Sequence, residues 1–337
     1  MIHIKMRWVL VAVGTVLAVL VPLFLGFYYQ GLATDAAITA LLALSLVVLM
    51  GFVGQVSFCQ YSFGVFGGFT VGSLVIGHGV NYWLALGLGT LFAATVGLLL
   101  GIPALRLRGL LLSILTIAFA LFVDGFVLAP GIWDGFSGGA NGWSGIQFPS
   151  LFGIGLNYYS FYVFSLGVLL LASLLVWNLR TGKAGRVLRA VRDSEVAAST
   201  LGLNVSLWKL GAFGLSAGLA GLAGALLVVA NTAAAGGPGS AFNFQHSIEL
   251  VAALTVFGSG LLFSAPLVGI FVIFGQELLD HTPLSHQWFP FILGALLVAQ
   301  LVFTPDGVVA KTQSDIRHLM HALRHRRQAR PSVVGSA

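Results

Sequence analysis

Apolar residues fill long uninterrupted stretches of this chain, and polar residues collect in the short segments between them. A helix crossing ~30 Å of hydrocarbon needs about 20 apolar residues. On that measure the sequence predicts helices over 8–28, 36–53, 56–77, 82–104, 109–128, 158–180, 208–231, 247–263, 266–280 and 289–305. Two of these, 56–77 and 247–263, are short, rich in glycine and follow their neighbours almost without a loop. Such segments can be re-entrant or broken, because irregular backbone survives at membrane depth where other helices bury it. The expected architecture is an all-α integral membrane protein, a polytopic bundle of about 8–10 transmembrane helices with broken or re-entrant segments among them.

Composition removes the competing classes. Of 337 residues, 58% are hydrophobic and only 8% are charged, where soluble domains carry about 25% charge. A soluble enzyme, a disordered chain and a nucleic-acid-binding domain are excluded, since none could cover this much apolar surface. The net charge of +6 reads as membrane topology. The 16 basic residues fall in four clusters: Lys5 and Arg7; Arg106 and Arg108; Arg180 to Lys209; Lys311 to Arg330. Cytoplasmic loops are enriched in Lys and Arg, so an even number of crossings must separate neighbouring clusters, and the ten spans obey that parity. This implies a multi-pass cell-membrane protein with both termini cytoplasmic and the 129–157 loop outside. The transmembrane domain covers 1–310, and 311–337 forms a basic tail. Its His318, His321 and His325 lack carboxylate or cysteine partners, so a solvated tail near anionic lipid is expected and no metal site. Cys59, in an apolar run, is read as a small packing residue.

The third basic cluster has internal order. From Ala184 to Leu201 the sequence lacks proline, Arg186, Arg189 and Arg192 recur every third residue, and Val187, Leu188 and Val191 add an apolar stripe. This pattern predicts one amphipathic helix over 184–202, ended by Gly202 and Asn204. It can lie on lipid headgroups or dock into a groove on a partner protein.

Within the spans, ionisable residues are few and functional candidates by default, since burying them is expensive. Asp124 and Glu277 lie near helix ends where they can reach water. Glu249, in the first turn of its helix, can favour the positive dipole end or meet substrate. Gln55, Ser57 and Gln60 are candidates for a translocation path, because a neutral amide or hydroxyl contacts a zwitterion without trapping it. Gly51, Gly54, Gly64, Gly67 and Gly68 suit close helix packing.

Several segments carry a resemblance. Glu195-Val196-Ala197-Ala198-Ser199-Thr200-Leu201-Gly202 resembles the EAA-type coupling motif of ABC importer permeases, and Arg180–Leu226 is similar to the cytoplasmic loop and following helix of branched-chain amino acid ABC permeases. Gly51–Ser57 (GFVGQVS) looks like that family's GxxGQxS signature and Ser137–Ile146 (SGGANGWSGI) like its external TGGxxGLxGI segment. Ser247–Gly269 resembles its SIE…GGxGSxxGPxxG region, and Phe303–Val308 (FTPDGV) its closing FxPxGL. The matches span most of 36–310 in order. The chain departs from the pattern at Ser57-Phe58-Cys59-Gln60, at Ser137 in place of Thr, and at the thinner Gly258-Ser259-Gly260, which bears on the substrate.

The resemblance implies the transmembrane permease subunit of an ATP-binding-cassette importer for branched-chain or related small amino acids, and no enzyme. Its coupling surface would include Arg189, Arg192, Glu195, Ala197, Ala198 and Gly202, with 184–202 passing ATPase closure to the membrane as a rigid lever. It implies two cytoplasmic ATPase subunits, a second related permease and an extracytoplasmic binding protein. This chain has no GxxxxGK[ST] phosphate loop, so ATP and Mg²⁺ are expected on partner subunits and no cofactor here. The competing class is an ion-coupled secondary transporter of a small polar solute, which would need buried carboxylates or histidines for ion coupling.

Overall fold

The computed structural model describes residues 18–20, 22, 26–107, 109–151, 154–236, 240–282 and 286–303, and these are mainly helical. Most of the first expected span, 8–28, and the tail 311–337 lie outside the described residues. The membrane helices are α1 (Phe27–Val53), α2 (Gln60–Gly72, continued by the π-helical turn Ser73–Gly77), α3 (Tyr82–Ala104), α4 (Leu110–Val127) and α5 (Tyr158–Thr181). Two short helices, α6 (Lys183–Asp193) and α7 (Glu195–Thr200), lead to α8 (Val205–Ala230), α9 (Phe244–Phe257), α10 (Ser264–Asp280) and α11 (Phe289–Phe303). Five of them, α1, α3, α4, α5 and α8, are long and apolar enough to cross a bilayer, and α9 and α11 are shorter apolar helices. The expected all-α polytopic class is therefore the observed one.

Local chemistry sets the helix starts. Asn81, Asn157, Asn204 and Asn243 each accept a first-turn backbone N–H of α3, α5, α8 and α9, satisfying one of the donors that every helix start leaves open. Ser194 does the same for α7, accepting from Ala197 N at 3.2 Å in an extended conformation. That cap corrects the expected single helix over 184–202. Continuing α6 through Ser194 would forfeit the serine–backbone bond, so the segment breaks into two helices and is not one lever.

The expected break near 56 is sharper than the sequence suggested. Helix α1 ends in the π-helical stretch Val47–Val53, and Gly54 takes the left-handed conformation (φ +74°) that glycine tolerates. No helical turn follows until Gln60. Gln60 meets Ser216, which lies about 16 Å along α8 from its first residue. Helix α2 thus begins deep inside the bundle. The expected span 247–263 is likewise only 14 residues of helix, α9, about 21 Å long, followed by a turn at Gly258 (φ +101°).

Helices α1, α2 and α8 form the centre. The membrane stretch of α1 is entirely buried, while α3, α4 and α5 turn most of theirs outward and present Leu84, Leu91, Leu99, Leu110, Ile114 and Leu171. In lipid there is no hydrophobic drive between helices, so close backbone approach through small residues takes its place. A methyl group on Gly67 would land on the Gly221 carbonyl oxygen, and one on Gly224 on that of Gly64.

The two faces of the bundle differ. Gly101 of α3 lies against Leu210 of α8, and Arg192 of α6 against Gly51 and Gly54 of the α1 end. Arg106 and the Arg180–Lys209 cluster therefore share one face. On the opposite face β1 (Trp143–Ser144) pairs antiparallel with β2 (Ala233–Ala234), and Trp143 packs on Gly72 and Gly77 at the far end of α2.

The glycine contacts discriminate sharply. A Cβ on Gly64 would meet only ordinary contacts at 3.6 Å. Gly67→Ala is expected to destabilise the purified protein by roughly 1–3 kcal/mol, and Gly64→Ala to stay within about 0.5 kcal/mol. Thermal unfolding in detergent measures both.

Candidate functional site

Two polar centres stand out, one at the basic face and one at depth. At the basic face, Lys209 sits only 2% exposed in the second turn of α8, and its Nζ donates to Glu195 Oε1 of α7 at 2.6 Å. Arg192 of α6 donates from Nη1 to the Gly51 carbonyl at 2.6 Å, and a Cβ on Gly54 would stand 3.0 Å from its Cγ. The guanidinium thereby satisfies a carbonyl that the end of α1 leaves open. Arg189 closes the end of α5 in the same manner, donating from Nη2 to Arg180 O at 3.3 Å and from Nε to Gly185 O at 3.0 Å. So α6 and α7 are tied to α1, α5 and α8 by charged side chains. Outward they present a mixed surface, with Lys183, Arg186, Asp193, Ser199 and Thr200 exposed beside Val196 (68%) and Leu201 (77%), while the apolar stripe of α6, Leu188 and Val191, is buried against the bundle. Ala198 is buried inward and Ala197 faces out. Gly202 has open space around it but φ +79°, so its role is the turn.

Beyond Gly54 the chain runs unwound to Gln60. Ser57 and Cys59 are fully buried, with Ser57 Oγ and Cys59 Sγ 3.3 Å apart. The Phe58 N–H donates to Thr116 Oγ1 of α4 at 3.2 Å. Gln60 is 0% exposed and uses both ends of its amide. Its Oε1 accepts from Ser45 Oγ (2.9 Å), its Nε2 donates to Ser216 Oγ (3.3 Å), and Ser216 Oγ donates to Ser45 O (2.7 Å). This clasp joins α1, α2 and α8 and engages both ends of the Gln60 amide. Gln55 is half-buried, and its buried Oε1 has no hydrogen-bond partner among the described residues. Of the five glycines grouped as packing residues, Gly51, Gly67 and Gly68 are crowded by neighbours, Gly54 is a turn and Gly64 has room for a methyl.

At depth, Tyr61 N–H donates to the buried Ser247 Oγ at 3.1 Å, joining the start of α2 to the first turns of α9. The Tyr61 ring lies 5.6 Å from that of His246. Glu249, 7% exposed, accepts through Oε2 from His246 Nδ1 (3.3 Å) and from Gln276 Nε2 of α10 (3.2 Å). The carboxylate only accepts, so His246 Nδ1 carries the hydrogen. Asp124, half-buried, accepts the Phe244 N–H through Oδ2 at 2.9 Å, a carboxylate at the positive end of α9. Glu277 is held by the Tyr28 hydroxyl (2.5 Å) and His281 Nε2 (3.0 Å).

Above the Glu249 centre, on the face away from the basic loop, is a cavity of about 360 Å³ lined by Asn231, Ala233, Ser240, Ala241, Phe242 and His246. The glycine-rich 137–146 segment forms its rim through the β1–β2 pair, where a methyl on Gly142 would strike the Ala234 carbonyl. Sequence reasoning found Glu249 but missed Tyr61, His246, Gln276 and the burial of Lys209. The available signals were His246 three residues before Glu249 on one helix face, and a lone lysine inside an apolar run.

A helical bundle with two helices that begin inside it, a polar centre below an open cavity and a basic amphipathic loop on the other face defines a polytopic membrane permease. Residues 28–301 match the family described as "Branched-chain amino acid transport system / permease component", and the chain belongs to that family. It is 30% identical to the high-affinity branched-chain amino acid transport system permease protein LivM of Escherichia coli (strain K12), over 93% of this chain and 77% of that protein. Its identity to the LivM protein of Salmonella typhimurium (strain LT2) is 29%, over 90% of this chain and 75% of that one. No solved structure matches.

Removing one member of the Lys209–Glu195 pair leaves the other charge uncompensated. Glu195→Ala is expected to cost about 3–5 kcal/mol of stability, and the joint replacement Glu195→Leu with Lys209→Met to recover most of it. Thermal unfolding of the three proteins checks this.

Proposed function

We propose that this chain is the membrane subunit of an ATP-driven importer of branched-chain amino acids, and that α6 and α7 receive the motion of its ATPase. The observation that carries this reading is the pair of ties from the basic loop into the bundle, Arg192 to Gly51 O and Glu195 to Lys209. A helix lying passively on lipid headgroups needs no charged bond to the break in a central helix. The apolar face of α6, Leu188 and Val191, packs into the bundle, so a cytoplasmic partner would meet a mixed surface of Lys183, Arg186, Asp193, Ser199 and Thr200 around the exposed Val196 and Leu201. Because the segment is two helices, motion enters through the α6 arginine and the α7 glutamate at separate points, the α1 break and the α8 start.

The rest of the assembly follows from the family. Two ATPase subunits carry ATP and Mg²⁺ on the cytoplasmic side, a second related permease completes the membrane unit, and a binding protein delivers substrate to the cavity on the outer face. Both termini of this chain are then cytoplasmic. Arg189, Ala197, Ala198 and Gly202 shape the coupling surface, and Gln55 and Ser57 line the inner half of the path.

Proteoliposomes holding the complete complex are expected to take up leucine with ATP and the binding protein. Arg192→Ala should retain ATPase activity yet lose uptake by roughly tenfold, the loss of a charged hydrogen bond, and Arg192→Lys should restore part of it. Uptake driven by a proton or sodium gradient without ATP would instead support an ion-coupled carrier.

A further inference from the structure

The chain break after α1 and the helix α9 meet at two levels. Beside the outer cavity, Tyr61 N–H donates to Ser247 Oγ at 3.1 Å, one residue beyond the His246 of the cavity wall. At the basic face, the end of α1 meets the turn that follows α9: a Cβ on Gly51 would stand 2.5 Å from the Ser259 carbonyl oxygen. Ser247 to Phe257 covers about 15 Å of helix. The unwound chain from Gly54 to Cys59 is pinned to α9 at both levels and runs beside it over that distance. The seam between them therefore joins the outer cavity to the face that carries Arg192.

The lower contact is built to part. Ser264 Oγ, fully buried, donates to Gly258 O at 2.7 Å and secures the turn to the start of α10. Toward α1 the same turn makes contact but, among the described residues, no backbone hydrogen bond. The Gly51 carbonyl is taken instead by Arg192 Nη1 at 2.6 Å, and Gly54, at φ +74°, lies against the same side chain. One side of the contact is thus bonded to a stiff helix, and the other is held by a charged side chain from the cytoplasmic loop. Two close-packed surfaces without a bond across them have two discrete arrangements, together or apart. Glycine at 51 lets them meet, since any side chain there would strike backbone.

Resting on the importer reading above, we infer that the Gly51–Ser259 contact is the inner gate of the substrate path, shut in this structure, and that Arg192 is its latch. Arg192 is a positioning residue: it acts on the gate through the end of α1 and does not meet the solute.

Leak distinguishes a gate from a packing contact. Proteoliposomes of the complete complex are loaded with radiolabelled leucine, and efflux is followed without ATP or binding protein. Gly51→Ala, whose methyl wedges the contact, is expected to speed efflux by roughly tenfold, the shift that one overpacked methyl makes in a closed–open balance. Gly67→Ala, as crowded but within the α2–α8 packing, should stay as tight as the unaltered complex. Ser259→Cys gives a second reading, because the chain's single cysteine, Cys59, is fully buried. A neutral methanethiosulfonate should label Ser259→Cys several-fold faster when Arg192→Ala is added. Loss of a nearby cation alone raises a thiol pKa and slows labelling, so acceleration reports an opened latch.

Efflux from Gly51→Ala no faster than from Gly67→Ala would overturn the inference, and so would labelling of Ser259→Cys that Arg192→Ala leaves unchanged or slows. Should Gly51→Ala fail to assemble, the labelling decides alone. ATP-driven leucine uptake by the unaltered complex with its binding protein separates the two levels. If uptake proceeds and either gate result fails, the gate is wrong and the importer stands; if uptake is absent, the importer reading itself fails.

Discussion

The structure depends on one constraint: inside a membrane, backbone that leaves the helix must find its hydrogen bonds within the protein. Three central segments leave the helix here, after Val53, before Phe244 and after Phe257, and backbone groups at their ends are met by particular side chains. Arg192 donates to Gly51 O, Thr116 accepts Phe58 N–H, Ser247 accepts Tyr61 N–H, Asp124 accepts Phe244 N–H, and Ser264 Oγ donates to Gly258 O. Where such a break lies at depth, no water takes the place of these bonds. The Gln60–Ser45–Ser216 clasp and the glycine contacts of α2 with α8 then hold the interrupted helices in place. Removing the breaks would give an ordinary bundle with nowhere to bind or move a solute.

The same breaks put the functional elements within reach of one another. The outer cavity leads down to His246 at the start of α9, and α9 bonds to the start of α2 through Ser247 and Tyr61. The unwound stretch 54–59 carries on from there to Gly54, against which Arg192 rests. A displacement of α6 thus reaches the polar centre through about six residues of chain that no helical hydrogen bonds stiffen. Stiff helices on either side and a soft joint between them are what a hinge requires.

Much of this was legible in the residues, and the reasons for the remainder are physical. Spans and their shared faces follow from apolar runs and the placement of arginines, because lipid leaves the chain little choice. The two interrupted spans announced themselves by glycine content and short length. The break at Ser194 was harder to see, since a serine among good helix formers decides between cap and interior through a single 3.2 Å bond. The clasp around Gln60 was not visible, because sequence places Gln60 at a helix start without showing that Ser45 and Ser216, 15 and 156 residues away, converge on it. Gln276 and Lys209 escaped for the same cause, since their partners lie on other helices, whereas His246 had its partner Glu249 three residues on along the same helix.

The central claim is that the basic loop and the α1–α2 joint form one mechanical unit. Hydrogen exchange by mass spectrometry on the complete complex in nanodiscs, with and without a trapped ATP analogue, tests it most directly. The account predicts that trapping changes exchange together in 183–200 and 51–61, while α3 and α4 stay as they were. A change confined to 183–200, with 51–61 unaltered, would contradict it.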